Sequence, residues 1–193
     1  MTMPLATRLA TLADIDALVA LVNSAYRGDS SRAGWTTEAD LLDGMRIDPE
    51  RLHAATADDA DNVILVHEDE GHLVACVHLD RTGSSCYLGM LTTLPTRQGS
   101  GLGRAMIEQA ELFARDRWGS TSMEMTVLTL RPELVAWYER RGFVKTDERK
   151  PFPYGDDKWG LPKTADLEFY VLRKSLTSIT SPGAGGGGST PPC

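Results

Sequence analysis

The chain has 193 residues, enough for one well-buried domain and short of a comfortable two. Hydrophobic residues at 41% and charged residues at 24% exclude wholesale disorder. Acidic residues outnumber basic ones by 27 to 20, a net charge of −7, so the fold-wide basic footprint of a nucleic-acid binder is absent and no nucleic-acid partner is expected. Three cysteines, Cys76, Cys86 and Cys193, form no Cys-x-x-Cys pair and no Cys/His cluster. Neither a metal site nor a disulfide framework is therefore expected, and a reducing, cytoplasmic compartment is. No basic stretch followed by a long apolar core opens the chain, and no apolar run approaches the ~18 residues of a membrane span.

In chain order, a short strand is expected at residues 8–12. Thr11 and Asp14 follow in a capping-box-like arrangement, with Asp where Glu is commoner. Ile15, Leu18, Val19, Val22 and Tyr26 recur at spacings of three and four, which is one buried helical stripe. Polar residues 27–34 lead to a second helix, expected to start at Thr36 or Thr37 and to carry Leu41, Leu42 and Met45. Asp48-Pro49 should stop it, because the residue before proline is pushed out of the α region.

The period then shortens to two. Residues 63–67 and 73–79 are β-rich runs around Asp69-Glu70-Gly71, a hairpin signal, and Thr82-Gly83-Ser84 turns the chain into a strand at 86–94. A glycine-rich loop at 98–103 opens a long helix with Leu102, Met106, Ala110 and Phe113 on one face, ending near Gly119. Residues 122–128 read as a strand. Pro132 suits the first position of the next helix and Gly142 its C′ position. Strands at 143–146 and 167–172 complete the set.

This order predicts an α/β fold in a single domain over residues 6–176. Its sheet should be mixed, mostly antiparallel and twisted, of about seven strands with helices on both faces. One strand–helix–strand crossover must join parallel strands in a right-handed sense. From Thr177 the composition shifts to Ser, Thr, Gly and Pro, with Gly185-Gly186-Gly187-Gly188-Ser189 inside. Residues 177–193 are expected to be a flexible tail with no apolar face to bury, of native low-complexity type or an engineered linker ending in a conjugation cysteine.

Gln98-Gly99-Ser100-Gly101-Leu102-Gly103 follows a strand and opens a helix. The first helical turn leaves N–H groups unpaired with partial positive charge, and glycines let a ligand approach that backbone, so the loop suits a pyrophosphate. A Walker loop needs Gly-Lys-Ser/Thr at its end, where Gly103-Arg104-Ala105 stands; a dinucleotide fingerprint from Gly99 needs glycine where Arg104 stands. Gln-x-x-Gly-x-Gly, as Gln98, Gly101 and Gly103, instead resembles the signature of the GNAT acyltransferase superfamily. Leu91-Thr92-Thr93-Leu94-Pro95 precedes it as that family's fourth strand does. Downstream, Trp137-Tyr138-Glu139-Arg140-Arg141-Gly142-Phe143 looks like the family's closing helix motif, and the element order over residues 6–176 is similar.

The resemblance implies an N-acetyltransferase with acetyl-CoA as co-substrate, its pantetheine arm entering where two strands splay apart. It places the pyrophosphate on backbone N–H groups from Gln98 through Gly99, Ser100, Gly101, Leu102 and Gly103 to Arg104. It places the thioester carbonyl on backbone N–H groups near Leu91, Thr92 and Thr93, which would stabilise its oxyanion. Arg97 or Arg104 could meet the ribose phosphate or be solvated charges. Direct attack by an amine is the implied route, and Tyr138 matches the family position of the acid that assists the departing thiolate. Glu124, in Met123-Glu124-Met125 of a strand expected to line the splay, is the candidate base or a strand residue on a wetted face. Glu168 is a weaker candidate, and His78 reads as a half-exposed strand histidine or a residue that touches substrate.

Substrate walls in the family come from the connection between the first two helices and from the last strand pair, here residues 26–35 and 150–165. Arg27 and Arg32 could receive a substrate carboxylate or be surface charge, with Trp35 beside them. Phe152, Tyr154 and Trp159 lie in a Pro/Gly-rich loop suited to a lid or to a homodimer interface. Arg131-Pro132 stands where many members have an asparagine that contacts the CoA arm. A small-molecule amine is the first expected acceptor. A peptide or protein amine is the alternative, and a non-catalytic acyl-CoA-binding module is the rival from another class.

Overall fold

The computed structural model describes residues 5–56 and 60–177. A short edge strand, β1 (Arg8–Leu9), leads to the first cap. The Asp14 carboxylate accepts the Thr11 backbone N–H at 2.7 Å, closing a 3₁₀ turn (Leu12–Asp14) that runs straight into α1 (Ile15–Tyr26). Arg8 donates to the same carboxylate at 2.8 Å and holds it well below the usual carboxylate range. α1 buries Ile15, Leu18, Val22 and Tyr26, with Val19 at the margin of the stripe.

The second expected helix does not form. Residues 36–47 are turns, bends and the two-residue strand β2 (Leu42–Asp43), and α2 (Pro49–Thr56) begins where a helix was expected to end. Asp48 Oδ1 accepts the Arg51 N–H at 2.9 Å, so Asp48 caps α2 and Pro49 opens it, where the missing proline N–H has no bond to lose. An Asp-Pro pair restricts the residue before proline in either case, and an N-cap satisfies that restriction as well as a stop does.

The next three strands form an antiparallel meander: β3 (Asn62–Asp69), β4 (His72–Thr82) and β5 (Ser85–Thr93). Glu70 and Gly71 both have positive φ, 52° and 79°, as a tight hairpin turn with right-handed twist demands. Helix α3 (Leu102–Trp118) crosses over to β6 (Ser122–Leu128), which lies parallel to β5. Then come α4 (Pro132–Glu139), β7 (Val144–Pro151), β8 (Leu161–Pro162) and β9 (Glu168–Ser175). Pro132 opens α4 as expected, while Gly142, at φ 87°, sits one residue beyond the C′ position because Arg140 is the C-cap.

Seven strands make one sheet in the order β1-β3-β4-β5-β6-β9-β7, antiparallel at every pairing except β5–β6, and β2 pairs separately with β8. Period-two alternation sorts the side chains onto two faces. Leu65, Val77, Leu88 and Met123 pack with Met106, Ile107 and Ala110 of α3; Ile64, Val66 and Cys76 pack with Leu18 and Val22 of α1. The expected mixed sheet with helices on both faces is the observed architecture. Leu176 is buried and donates its N–H to Thr121 O at 2.8 Å, so the core reaches that residue; the expected tail lies, beyond Thr177, outside the described residues. Among the described residues, no helix is long and apolar enough to cross a membrane.

Candidate active site

Strands β5 and β6 pair only over Ser85–Tyr87 and Ser122–Glu124, then diverge. The cause is a bulge in β5. Its register with β4 jumps between Cys76–Thr92 and His78–Gly89, leaving Met90 and Leu91 opposite Val77 alone, with Met90 at φ 49°. A non-glycine residue in that region costs on the order of 1–3 kcal/mol and persists only where its surroundings enforce it. Here the Tyr26 hydroxyl donates to the Leu91 carbonyl and Thr92 Oγ1 donates to the Met90 carbonyl at 3.0 Å. Burial, reinforced by Glu38, pushes the Tyr26 phenol up to about 12. Neither Met90 nor Leu91 has a register partner in β6.

One side of the gap is a cleft of about 430 Å³ lined by Leu91, Thr93, Gly99, Gly101, Gly103 and Trp137, among others. Among the described residues nothing accepts a hydrogen bond from the backbone N–H groups of Gly99 to Arg104, whereas that of Gln98 is taken by Pro95 O at 3.3 Å. Gln98 is therefore corrected from a backbone ligand to a brace. Its side-chain oxygen accepts the Trp35 N–H at 2.8 Å and its amide donates to Thr36 Oγ1 at 2.8 Å. Gly101 caps α3 at φ 89°, a conformation that favours glycine. A Cβ built on Gly103 would stand 3.5 Å from Trp137 and 3.6 Å from Thr93 Oγ1, so the missing side chain leaves the cleft open between them.

The cations around this end differ from expectation in part. Arg97 is half-exposed and paired with Asp69, with Nη2 to Oδ2 at 2.5 Å; Arg104 lines the cleft and pairs with Glu108 at 2.8 Å. Arg140 and Arg141, which the sequence reading did not select, also line it. The Arg141 guanidinium lies 3.4 Å from the Trp137 ring centroid, and its buried Nε has no acceptor among the described residues. Burial, with Arg140 and Arg104 nearby, lowers its pKa. The signal was present as two consecutive arginines directly after Tyr138-Glu139.

Leu91 also lines a second cavity, of about 80 Å³, on the other side of the bulge. Tyr138, Tyr26, Arg27, Glu38, Trp159 and Phe169 are among its walls. The Tyr138 hydroxyl has no hydrogen-bond partner among the described residues. Burial first, and Tyr26 and Tyr87 after it, raise its pKa well above the usual phenol range, so it keeps its proton at any working pH. A roof covers this cavity. β2 pairs with β8, Lys163 Nζ donates to Ala39 O at 2.7 Å, and Arg27 Nη2 reaches Trp159 O at 3.5 Å. Arg131, read as a departure from the family pattern, is buried and donates to the carbonyls of Trp35 at 2.9 Å and Thr37 at 2.8 Å, pinning that wall to α4.

Several candidates lie elsewhere. Glu124 does not line the cavity; it pairs with Arg173 at 2.6 Å and Lys150 at 3.3 Å. Desolvation alone would raise its carboxyl, but those hydrogen bonds outweigh it and hold it below the usual range, the wrong direction for a base. Glu168 is exposed and pairs with Arg149 at 3.1 Å. Arg32 is half-exposed and paired with Asp40 at 2.7 Å, as plain surface charge. Trp35 walls the loop-side cleft and packs on Trp137 at 5.8 Å between ring centroids, and does not line the cavity that contains Arg27 and Tyr138. Tyr154 accepts the Leu167 N–H at 2.7 Å and braces Phe152, which reaches the cavity where Tyr154 does not. Arg27 does line the cavity, buried and paired with Glu38.

His78 gains weight instead. It lines a side cavity of about 280 Å³ that shares Arg46, Tyr87, Gly89, Met90 and Trp159 with the cavity that contains Tyr138. Its Nε2 donates to Asn62 Oδ1 at 2.8 Å, leaving Nδ1 with its lone pair toward Gly89. Burial lowers its pKa, so the imidazole is neutral at pH 7.

The sequence matches the Acetyltransferase (GNAT) family over residues 21–143, more than half of the chain. No curated protein matches it significantly. Solved structures with the same fold include the ribosomal-protein-alanine N-acetyltransferase from Brucella melitensis, at 21% identity and TM-score 0.66, over 89% of this chain and 99% of that one. The ribosomal-protein-S18-alanine N-acetyltransferase from Escherichia coli aligns at 14% identity and TM-score 0.64, over 92% of this chain and 98% of that one. A spermidine N-acetyltransferase chimera of Vibrio cholerae SpeG and hSSAT aligns at 16% identity and TM-score 0.64, over 89% and 96%. With the glycine loop, the splayed strands and the closing helix in their places, the chain belongs to the GNAT family of acetyltransferases.

Proposed function

We propose that this enzyme transfers the acetyl group of acetyl-CoA to the primary amine of a small molecule by direct attack. One observation carries the reading: Leu91, at the β5 bulge, is the common wall of a loop-side cleft with free N–H groups and a roofed cavity that contains Tyr138. The free N–H groups of Gly99 to Arg104 and the open space at Gly103 fit a pyrophosphate, and Arg104, Arg140 and Arg141 fit the remaining phosphate charge. Acetyl-CoA supplies the activated acyl group. The chain's own residues do the rest.

Backbone N–H groups at the bulge would polarise the acyl carbonyl, in a fixed orientation that needs no reorganisation during reaction. Tyr138 is the hydrogen-bond donor to the departing sulfur. Its proton is held more tightly than that of a thiol near ~8.5, so in this reading it stabilises the thiolate by a hydrogen bond and hands over a proton only as solvent reprotonates it. An alkylammonium near ~10.4 is far too weak an acid to protonate neutral His78 before attack. The amine becomes acidic as its bond to the acyl carbon forms, and His78 is then placed to accept that proton, directly or through water.

The roof from residues 36–47 and 153–167 favours a small acceptor over a protein chain. Spermidine and a ribosomal protein are named as substrates for the structural neighbours, so both classes belong in the test. Release of free thiol from acetyl-CoA would be followed across amines, amino acids, polyamines and peptides. Turnover with small amines and none with peptides is the expected result. Acetyl-CoA binding without turnover of any acceptor would replace the transferase reading with that of a binding module.

A further inference from the structure

Arginines with no carboxylate in ion-pair contact are few in this acidic chain, and their placement is uneven. Among the described residues, Arg46, Arg51, Arg117, Arg140 and Arg141 are those without a carboxylate oxygen within 4.0 Å. Arg117 is on the exposed side of α3. Arg140 and Arg141 flank the cleft assigned above to the phosphates of acetyl-CoA. The other two, Arg46 and Arg51, line the side cavity of about 280 Å³ at the acceptor end; Arg51 Nη1 already donates to the Arg46 and Lys158 carbonyls, whereas the Arg46 guanidinium has no acceptor among the described residues.

Arg46 belongs to both acceptor-side cavities, with its guanidinium carbon 5.7 Å from the Tyr26 ring centroid. Arg27, 6% exposed, adds a further cation to the wall, and its buried Nε has no acceptor among the described residues although its Nη1 is paired with Glu38. Glu38 is the carboxylate lining these two cavities, and Arg27 already occupies it. An acceptor that brought only positive charge would meet Arg46, which no ion pair offsets, in a partly desolvated space where like charges repel strongly, while the Arg27–Glu38 pair is already neutral. An acceptor with an anionic group would satisfy the unpaired guanidinium donors.

We propose that the acceptor is an amine that also carries a compact oxyanion, seated against Arg46 with Arg27 and Arg51 beside it. The inference rests on the transferase reading for the amine half. The oxyanion half stands on the unpaired arginines alone. Polyamines are excluded as good acceptors. Carboxylate, phosphonate and phosphate share the chemistry that these donors recognise, and the choice of probes separates them.

The test is calorimetric titration of the enzyme, saturated with CoA, with matched amines. The set is α-amino acids, their methyl esters, aminoalkyl phosphates and phosphonates of similar length, and polyamines. Oxyanion-bearing amines should bind at least tenfold more tightly than esters or polyamines. Arg46→Gln removes no ion pair and one cation–ring contact with Tyr26, so its melting temperature should fall by no more than about 2–4 °C; it should weaken the acidic amines by about 10- to 100-fold, as loss of a charged hydrogen bond does, and the esters by less than about threefold. Affinity for CoA should not move. Esters or polyamines binding as well as the acids, or an equal loss for both in Arg46→Gln, would overturn the proposal. Thiol release is read on the same set. Selective binding of acids without thiol release would count against the transferase reading and leave the oxyanion site standing.

Discussion

Replacing Gly103 by valine separates the fold from cofactor binding. Gly103 is in the first turn of α3, and a Cβ there meets Trp137 at 3.5 Å and Thr93 Oγ1 at 3.6 Å, ordinary van der Waals contacts. The free protein should tolerate the change. Valine is a slightly better helix former than glycine, so the melting temperature should hold or rise a little. The two further methyl groups, however, must occupy the space in front of the N–H groups of Gly99 to Arg104. A charge-assisted hydrogen bond contributes about 1.5–3 kcal/mol, so displacing the pyrophosphate from one or two of them should cost about 2–4 kcal/mol. That is roughly a 30- to 700-fold loss of CoA affinity. Calorimetry with CoA on the folded variant reads it directly. Affinity within threefold of the wild type would refute the assignment of the loop.

Tyr138→Phe keeps the packing and removes the hydroxyl; the turnover number should fall at least tenfold, within the ~10²–10⁴ range of acid–base assistance, with acetyl-CoA affinity unchanged. A wild-type rate with chemistry limiting would make Tyr138 a packing residue. His78→Gln should lower turnover at least tenfold at pH 7 and recover partly, relative to the wild type, at high pH, where hydroxide takes the proton from the attacking nitrogen, whereas Glu124→Gln should alter it less than twofold. The reverse pattern would restore Glu124 as the base. The lowered Asp14 carboxyl pKa means that the Arg8–Asp14 pair contributes its full stability above the ordinary carboxylate value of about 3.9 and loses it as pH falls below that value. Asp14→Asn should therefore lower the melting temperature most at neutral pH, with the deficit shrinking from about pH 5 toward pH 2. A deficit independent of pH would show that the pair is not the cause.

The elements that a local pattern encodes were legible in advance. The α1 stripe, the Glu70-Gly71 hairpin, the glycine loop and the crossover to β6 each depend on a few neighbouring residues, and each is where periodicity or turn chemistry puts it. The region 36–56 was misread because Leu41, Leu42 and Met45 have helical spacing by coincidence: Leu42 is held by β2–β8 pairing, a contact more than a hundred residues away in sequence. Site residues divided the same way. Gly101, Gly103 and Tyr138 sit in short motifs, so their places followed from the sequence. Glu124 and Tyr154 lie off the cavity wall, engaged by the cations at 150 and 173 and by the carbonyl of Thr164, partners that no local pattern announces. Arg131, Arg140 and Arg141 were visible as charges, but only the packing of α4 against residues 35–37 and the glycine loop tells a brace from a wall of the cleft.

A crystal structure of the enzyme with CoA bound tests the central claim most directly. The account predicts the pyrophosphate on the N–H groups of Gly99 to Arg104, the pantetheine arm between β5 and β6, and the sulfur on the Leu91 side of the gap within roughly 3–4 Å of the Tyr138 hydroxyl. A cofactor bound away from the β5–β6 gap, or a sulfur remote from Tyr138, would contradict it.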